Sequence, residues 1–309
     1  MFKLIKKFAS GTLIIAMAFV FGGCANNPPN PPNEQSQQQI EAQNKEKAVM
    51  DNYNALLQTT DVTIPEIIKF IDGNITVVSK PNASAMIIGL EKVQNDKLNK
   101  TQEQFDNEAV QKVVMKGYKV GLDDGYINSI QNQQVKDLLL ATKNSGYKIE
   151  TAEGMYYPVI DYSFYKKYRS NVTSDIAAFI DIMAVESDKT PIKDAALVIS
   201  WEEILKRAQA QERFIKEYSS SAKIEDMRCQ LKRYAVFAMY GGNNTPLFSY
   251  DTKQMNHEAK ETYLETAFDA NNGSFSKAMI GYLEVLQKND YKLTSEVQEY
   301  RNKVSQEIH

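Results

Sequence analysis

The chain of 309 residues is 43% hydrophobic and 24% charged, with nine prolines, fourteen glycines and a net charge of −3. That supply of apolar residues suits one large domain or two modest ones, and it excludes wholesale disorder and a collagen-like repeat. The mild negative charge offers no cationic field for nucleic acid. Two histidines and two cysteines leave little material for zinc or thiol chemistry.

Lys3, Lys6 and Lys7 open the chain with no acid nearby, an apolar run extends from Leu13 to Phe21, and Gly22, Gly23 and Cys24 close the segment. A cationic start, a short apolar stretch and small residues before a break mark a secretory signal. The run is shorter than the roughly 20 apolar residues of a membrane span. Phe21-Gly22-Gly23-Cys24 resembles the lipobox of bacterial lipoproteins, with Phe21 standing where an aliphatic residue is usual. The resemblance covers residues 1–24 and implies a signal peptide at 1–23, cleavage before Cys24 and a diacylglycerol on its sulfur. The expected location is the cell membrane, with the chain lipid-anchored through diacylglycerol and palmitate-type chains on its extracytoplasmic side. Two or three acyl chains, at about 0.8 kcal/mol per buried CH₂, hold a protein stably to a bilayer. Cleavage leaves 286 residues at a net charge of −6, so lipid and not electrostatic attraction does the anchoring.

Residues 25–39 contain Pro28, Pro29, Pro31 and Pro32 among Asn, Gln and Ser, and they lack apolar side chains that could join a core. With Cys24 they read as a stalk over 24–39, extended on the order of 40 Å. The globular region is then 40–309, with a candidate sub-boundary near 130–160. Beyond the stalk, prolines are sparse and no glycine occurs between Gly154 and Gly241, which favours helices joined by short polar turns.

Ala109–Lys116 reads as helical, and Val135, Leu138, Leu139 and Thr142 form a further helical stripe. Each is followed by a similar element. Gly117-Tyr118-Lys119-Val120 precedes Asp124-Gly125, and Gly146-Tyr147-Lys148-Ile149 precedes Glu153-Gly154. A left-handed glycine ends a helix, alternation makes a short strand and an acid–glycine pair makes its turn, so two helix–glycine–strand units are expected. Asp123-Asp124-Gly125 lacks calcium-loop spacing.

The stretch from Glu153 to Tyr168 is the densest in aromatics and acids. Glu153, Tyr156, Tyr157, Asp161 and Tyr162 are candidate ligand-binding residues, because aromatic faces and carboxylates together suit a glycan. The bland alternative packs these tyrosines between a hairpin and the next helix, with their hydroxyls reaching solvent.

Ile176, Phe179, Ile180, Met183 and Ala184 form a helix behind Thr173 and Ser174, and Glu186-Ser187-Asp188 follows as a possible polar cluster. Ser200 with Glu203 has capping-box spacing ahead of Trp201, Ile204, Leu205, Ala208 and Ile215. Phe214–Ser221 resembles the inter-repeat turn of tetratricopeptide-like proteins. It lacks the proline after the tyrosine, shows no repeat of about 34 residues, and implies only stacked helical hairpins. Ile224–Tyr240 is helical and carries Cys229, which with Cys24 acylated has no partner in the chain and reads as a buried thiol. Gly241–Thr252 reads as a long loop in which Asn244 and Asp251 could bind a ligand while Leu247 and Phe248 return to the core. Asn256, Ser274 and Thr294 are candidate caps of the last helices.

No phosphate loop, dinucleotide fingerprint, zinc-protease or serine-hydrolase motif occurs. His309 is terminal and His257 follows a cap, so histidine-based catalysis has little support. No cofactor or metal is implied. The expectation is a mainly α protein of about ten helices, as a multi-helix bundle or stacked helical hairpins with a small β element around residues 117–160. Its expected role is binding or scaffolding in the cell envelope, with an envelope protein or glycan as partner. A carboxylate-dependent envelope glycan hydrolase using Glu153 and Asp161, and a solute-binding receptor, are the alternatives.

Overall fold

A computed structural model of the protein describes residues 34–120 and 122–308. The chain divides into two compact units, Met1–Asn44 and Lys45–His309. The signal sequence, Cys24, the proline run and His309 lie outside the described residues. Helix α1 (Glu34–Gln58) begins inside the stretch that composition assigns to an extended stalk. The Glu and Gln that make this stretch polar are also good helix formers, and no proline follows Pro32 there.

Within Lys45–His309, Thr63 and Glu66 cap each other at the start of α2 (Ile64–Asn74). The buried stripe Ile64, Ile67, Ile68 and Ile71 turns this helix onto α3 (Lys80–Glu103). Three shorter helices follow, α4 (Glu108–Val120), α5 (Asp124–Ser129) and α6 (Gln133–Asn144). An antiparallel hairpin, β1 (Tyr147–Ala152) and β2 (Met155–Ile160), leads through a 3₁₀ segment at Tyr162–Tyr168 into α7 (Ser174–Asp188). A two-residue hairpin, β3 (Ile192–Lys193) with β4 (Ala196–Leu197), precedes the helical hairpin of α8 (Trp201–Glu217) and α9 (Ile224–Tyr240). A third hairpin, β5 (Gly241–Gly242) with β6 (Thr245–Pro246), is followed by α10 (His257–Glu265), α11 (Ser274–Lys288) and α12 (Ser295–Glu307). The protein is mainly α with small antiparallel strand pairs.

Local signals place most of these elements. Ser200 accepts from the Glu203 amide, Asn256 from Ala259 and Thr294 from Val297, each at the start of its helix. Gly273, and not Ser274, occupies the cap of α11. Gly146 takes the left-handed φ of +72° that ends α6, as the second glycine unit predicts.

The first unit differs, because Gly117–Val120 continues α4 as helix. A Cβ at Gly117 would run into the Tyr126 ring, whose hydroxyl donates to the Val113 carbonyl at 2.7 Å. Gly117 therefore serves a close helix approach and not a helix end, and the β element occupies only 147–160.

Cys229 is exposed, which corrects the reading of a buried thiol. Met227, Leu231, Tyr234, Ala235 and Ala238 occupy the buried face of α9, and Cys229 falls off that stripe. The predicted loop 241–252 is largely the third hairpin, pinned by the buried Leu247 and Phe248. Two large apolar clusters run in chain order, one from Tyr53 to Ile180 and one from Ile199 to Ile308. The change of core therefore falls at the 181–198 connection and not near 130–160, since Tyr147 and Ile160 belong to the first cluster.

Candidate functional site

Period-two alternation on the first hairpin decides which tyrosine faces what. Glu150 pairs with Tyr157 and Lys148 with Val159, so these side chains share one face. Glu150, Tyr157 and Val159 line a cavity of about 320 Å³. Tyr156 lies on the other face, its backbone held by both polar atoms of the Gln111 amide and its ring 5.2 Å from that of Tyr118. Asn95 and Leu98 of α3, Met183, Glu186 and Ser187 of α7, the Thr190–Lys193 turn, and Gln230 and Arg233 of α9 complete the walls. Spacings of three and four put the α7 and α9 residues on single helix faces.

Glu186 dominates the electrostatics. Its side chain is only 6% exposed. Tyr234 donates its hydroxyl to Oε2 at 2.7 Å, and Arg233 Nη2 reaches the same oxygen at 3.4 Å. No protein group hydrogen-bonds Oε1, and Arg207 Nη1, at 3.6 Å, is too far to do so. Arg207 is instead held by Glu203 Oε1 at 2.8 Å and by the Lys189 carbonyl at 2.8 Å. Burial pushes the Glu186 carboxyl above the usual range, opposed by the Tyr234 bond and by Arg207 and Arg233. Gln230 Oε1, a second cavity-lining acceptor, also lacks a protein donor. Opposite, Lys193 bonds Glu150 at 2.7 Å, and this bond raises the lysine pKa despite partial burial.

A second cavity of about 500 Å³ shares Asn95, Tyr162, Met183 and Gln230 with the first. Tyr162 forms the partition, its hydroxyl donating to Glu91 Oε1 at 2.6 Å. Lys223 reaches the other oxygen of Glu91 at 2.6 Å, and both side chains are largely buried.

The sequence-predicted residues therefore separate. Tyr157 and Tyr162 line the 320 Å³ cleft. Asp161 caps the 3₁₀ segment by accepting from the Ser163 amide, and it faces a different cavity of about 340 Å³. Glu153 sits exposed in the hairpin turn at φ 52°. With six-residue strands between them, Glu153 and Asp161 stand roughly 20 Å apart. Glycosidase acid pairs need about 5–10 Å. Asn244 lies at the tip of the third hairpin, where its side chain donates to the Asp194 carbonyl at 2.7 Å, while the Glu153 amide donates to Asp194 Oδ1 at 3.0 Å. Asp194 thus ties Glu153 and Asn244 into one row of hairpin tips, away from Asp251, which is exposed in the next turn. The other tyrosine hydroxyls do not reach solvent. Tyr165 donates to the buried Gln94 and Tyr168 to Asp72 at 2.7 Å.

Sequence reasoning placed Glu186 beyond its helix and overlooked Lys193, Gln230 and Arg233. Their signal is a polar residue on an apolar stripe. Glu186 follows Phe179 and Met183 at helical spacing, and Gln230 and Arg233 flank Met227, Tyr234 and Phe237. His257 is exposed beside Glu261 and belongs to no cavity described above. Among the described residues no group of His, Cys, Asp or Glu gathers as a metal site, and no helix is long and apolar enough to cross a membrane. No family model, curated protein or solved structure matches this chain.

Proposed function

We propose that this protein is an extracytoplasmic lipoprotein that holds a small-molecule-binding domain at the membrane, anchored through Cys24. The lipobox-like Phe21–Cys24 segment supports the tether, and the cleft supports binding. One observation carries the binding role: a nearly fully buried carboxylate, Glu186, turns an oxygen without a protein donor onto a 320 Å³ cavity. Buried acceptors are almost always satisfied, so a ligand donor is the natural complement. The cavity lies within the size range of small-molecule sites and joins apolar walls to a few polar groups. The hydrolase alternative loses its acid pair, because Glu153 and Asp161 occupy opposite ends of a hairpin. The solute-receptor alternative is favoured by the same buried carboxylate.

Two measurements test the proposal. Cys24→Ala should leave the chain uncleaved or release it from membranes, and unchanged tight retention after cleavage would refute the tether. A low-molecular-weight envelope extract should raise the melting temperature of the protein but not that of Val159→Trp, which fills the cleft. An equal rise in both, or in neither, would refute the cleft as the binding site.

A further inference from the structure

Resting on the reading of the cleft as a ligand site, we propose that its ligand is a zwitterionic amino acid with an apolar side chain, its ammonium on Glu186 and Gln230 and its carboxylate on Arg233. The two buried cleft atoms without protein partners, Glu186 Oε1 and Gln230 Oε1, are both acceptors, so the ligand must bring donors. An ammonium group brings three. Tyr234 holds Oε2 at 2.7 Å, which leaves Oε1 as the oxygen available to the cavity.

Charge balance narrows the choice. The ionised residues lining the cleft are Glu150, Glu186, Lys193 and Arg233, two of each sign. Glu150 and Lys193 engage each other at 2.7 Å, which leaves Glu186 and Arg233 to face the ligand. A ligand of net charge would carry an uncompensated ion into a partly dry site, whereas a zwitterion would not. The side chain of Arg233 is 47% exposed, and its contact with Glu186 is a long 3.4 Å. Its planar fork is therefore free to take a carboxylate in a bidentate pair. Because Glu186 and Arg233 lie side by side, they match a ligand whose ammonium and carboxylate branch from one carbon. Leu98, Val159, Met183, Pro191 and Ile192 provide an apolar lining for its side chain. A volume near the lower end of the small-molecule range suits one residue better than an oligomer.

Calorimetric titration of the full chain with L-leucine, L-methionine and L-phenylalanine tests this. Saturable one-site binding is expected for at least one of them. The matching analogues without an ammonium (isocaproate for leucine) or without a carboxylate (isopentylamine for leucine) should bind at least about ten-fold more weakly. Glu186→Gln should abolish the preference over the deaminated analogue, and Arg233→Met the preference over the decarboxylated one. Both variants should keep the wild-type circular dichroism. Equal affinity for an amino acid and its singly charged analogues, or tight binding of glucose in their place, would overturn the zwitterion assignment. Should the amino acids fail while the envelope extract still stabilises the protein but not Val159→Trp, only this assignment falls. Failure of both removes the cleft reading as well.

Discussion

Tyr234 and Glu186 meet across α9 and α7 in a 2.7 Å hydrogen bond from hydroxyl to carboxylate. The same hydroxyl accepts from Arg207 at 3.2 Å, so one phenol links a buried anion to a buried cation. The bond orients the carboxylate edgewise, with one oxygen in the network and the other on the cleft. Tyr234→Phe keeps the ring packing and deletes both bonds. It should cost roughly 1–3 kcal/mol in urea unfolding, because Glu186 Oε2 is left with only the long Arg233 contact.

The raised pKa of Glu186 makes its contribution pH-dependent in a defined direction. Burial favours the neutral acid, the Tyr234 bond with Arg207 and Arg233 oppose it, and Glu203 reinforces it. Between the ordinary value of 4.5 and the raised one, the folded chain keeps a proton that the unfolded chain has released. The contribution is therefore complete below 4.5 and declines as pH rises through the folded value. Measured by thermal melts, the stability of wild type relative to Glu186→Gln should fall across that window and level off above it. A relative stability that rises with pH would contradict this assignment.

Lys223 and Glu91 form a largely buried pair that joins α9 to α3, and Tyr162 donates to the same carboxylate. Burial works against the lysine charge, but Glu91 and Asp226 more than offset it and hold the pKa above normal. Lys223→Met strands the Glu91 carboxylate and should destabilise by about 3–5 kcal/mol. Adding Glu91→Gln removes the stranded charge while keeping an acceptor for Tyr162. The double variant should recover part of the loss in chemical denaturation.

Two glycines should respond in opposite senses to alanine. Gly146 combines a φ of +72° with Gln94 Nε2 only 2.7 Å from where a Cβ would lie. Gly146→Ala should cost about 1–2 kcal/mol from the left-handed backbone alone. Gly73, inside α2, has open space around that position. Gly73→Ala should stabilise by about 0.5–1 kcal/mol, read as a rise in melting temperature.

Helix starts at Ser200, Asn256 and Thr294, the left-handed stop at Gly146 and the hairpin that follows it were all legible in the sequence. Each depends on groups within about four residues of one another, and short spacings carry their own geometry. The same local rule failed at Gly117, where a ring from the next helix and not a turn explains the glycine. It failed again at Cys229, which sits in a helix correctly bounded but on its exposed side. The cleft was beyond any local rule. Asn95, Tyr157, Glu186 and Arg233 come from three helices and a strand spread over much of the chain. Whether a carboxylate on an apolar stripe is stranded, paired or presented to a ligand depends on which donors the other elements bring to it. Sequence patterning alone determined a helical chain with a candidate lipid address at its start. Tertiary packing alone decided that Glu186, and not Glu153 or Asp161, is the acid facing the cleft, because only packing sets the distance between distant donors and acceptors.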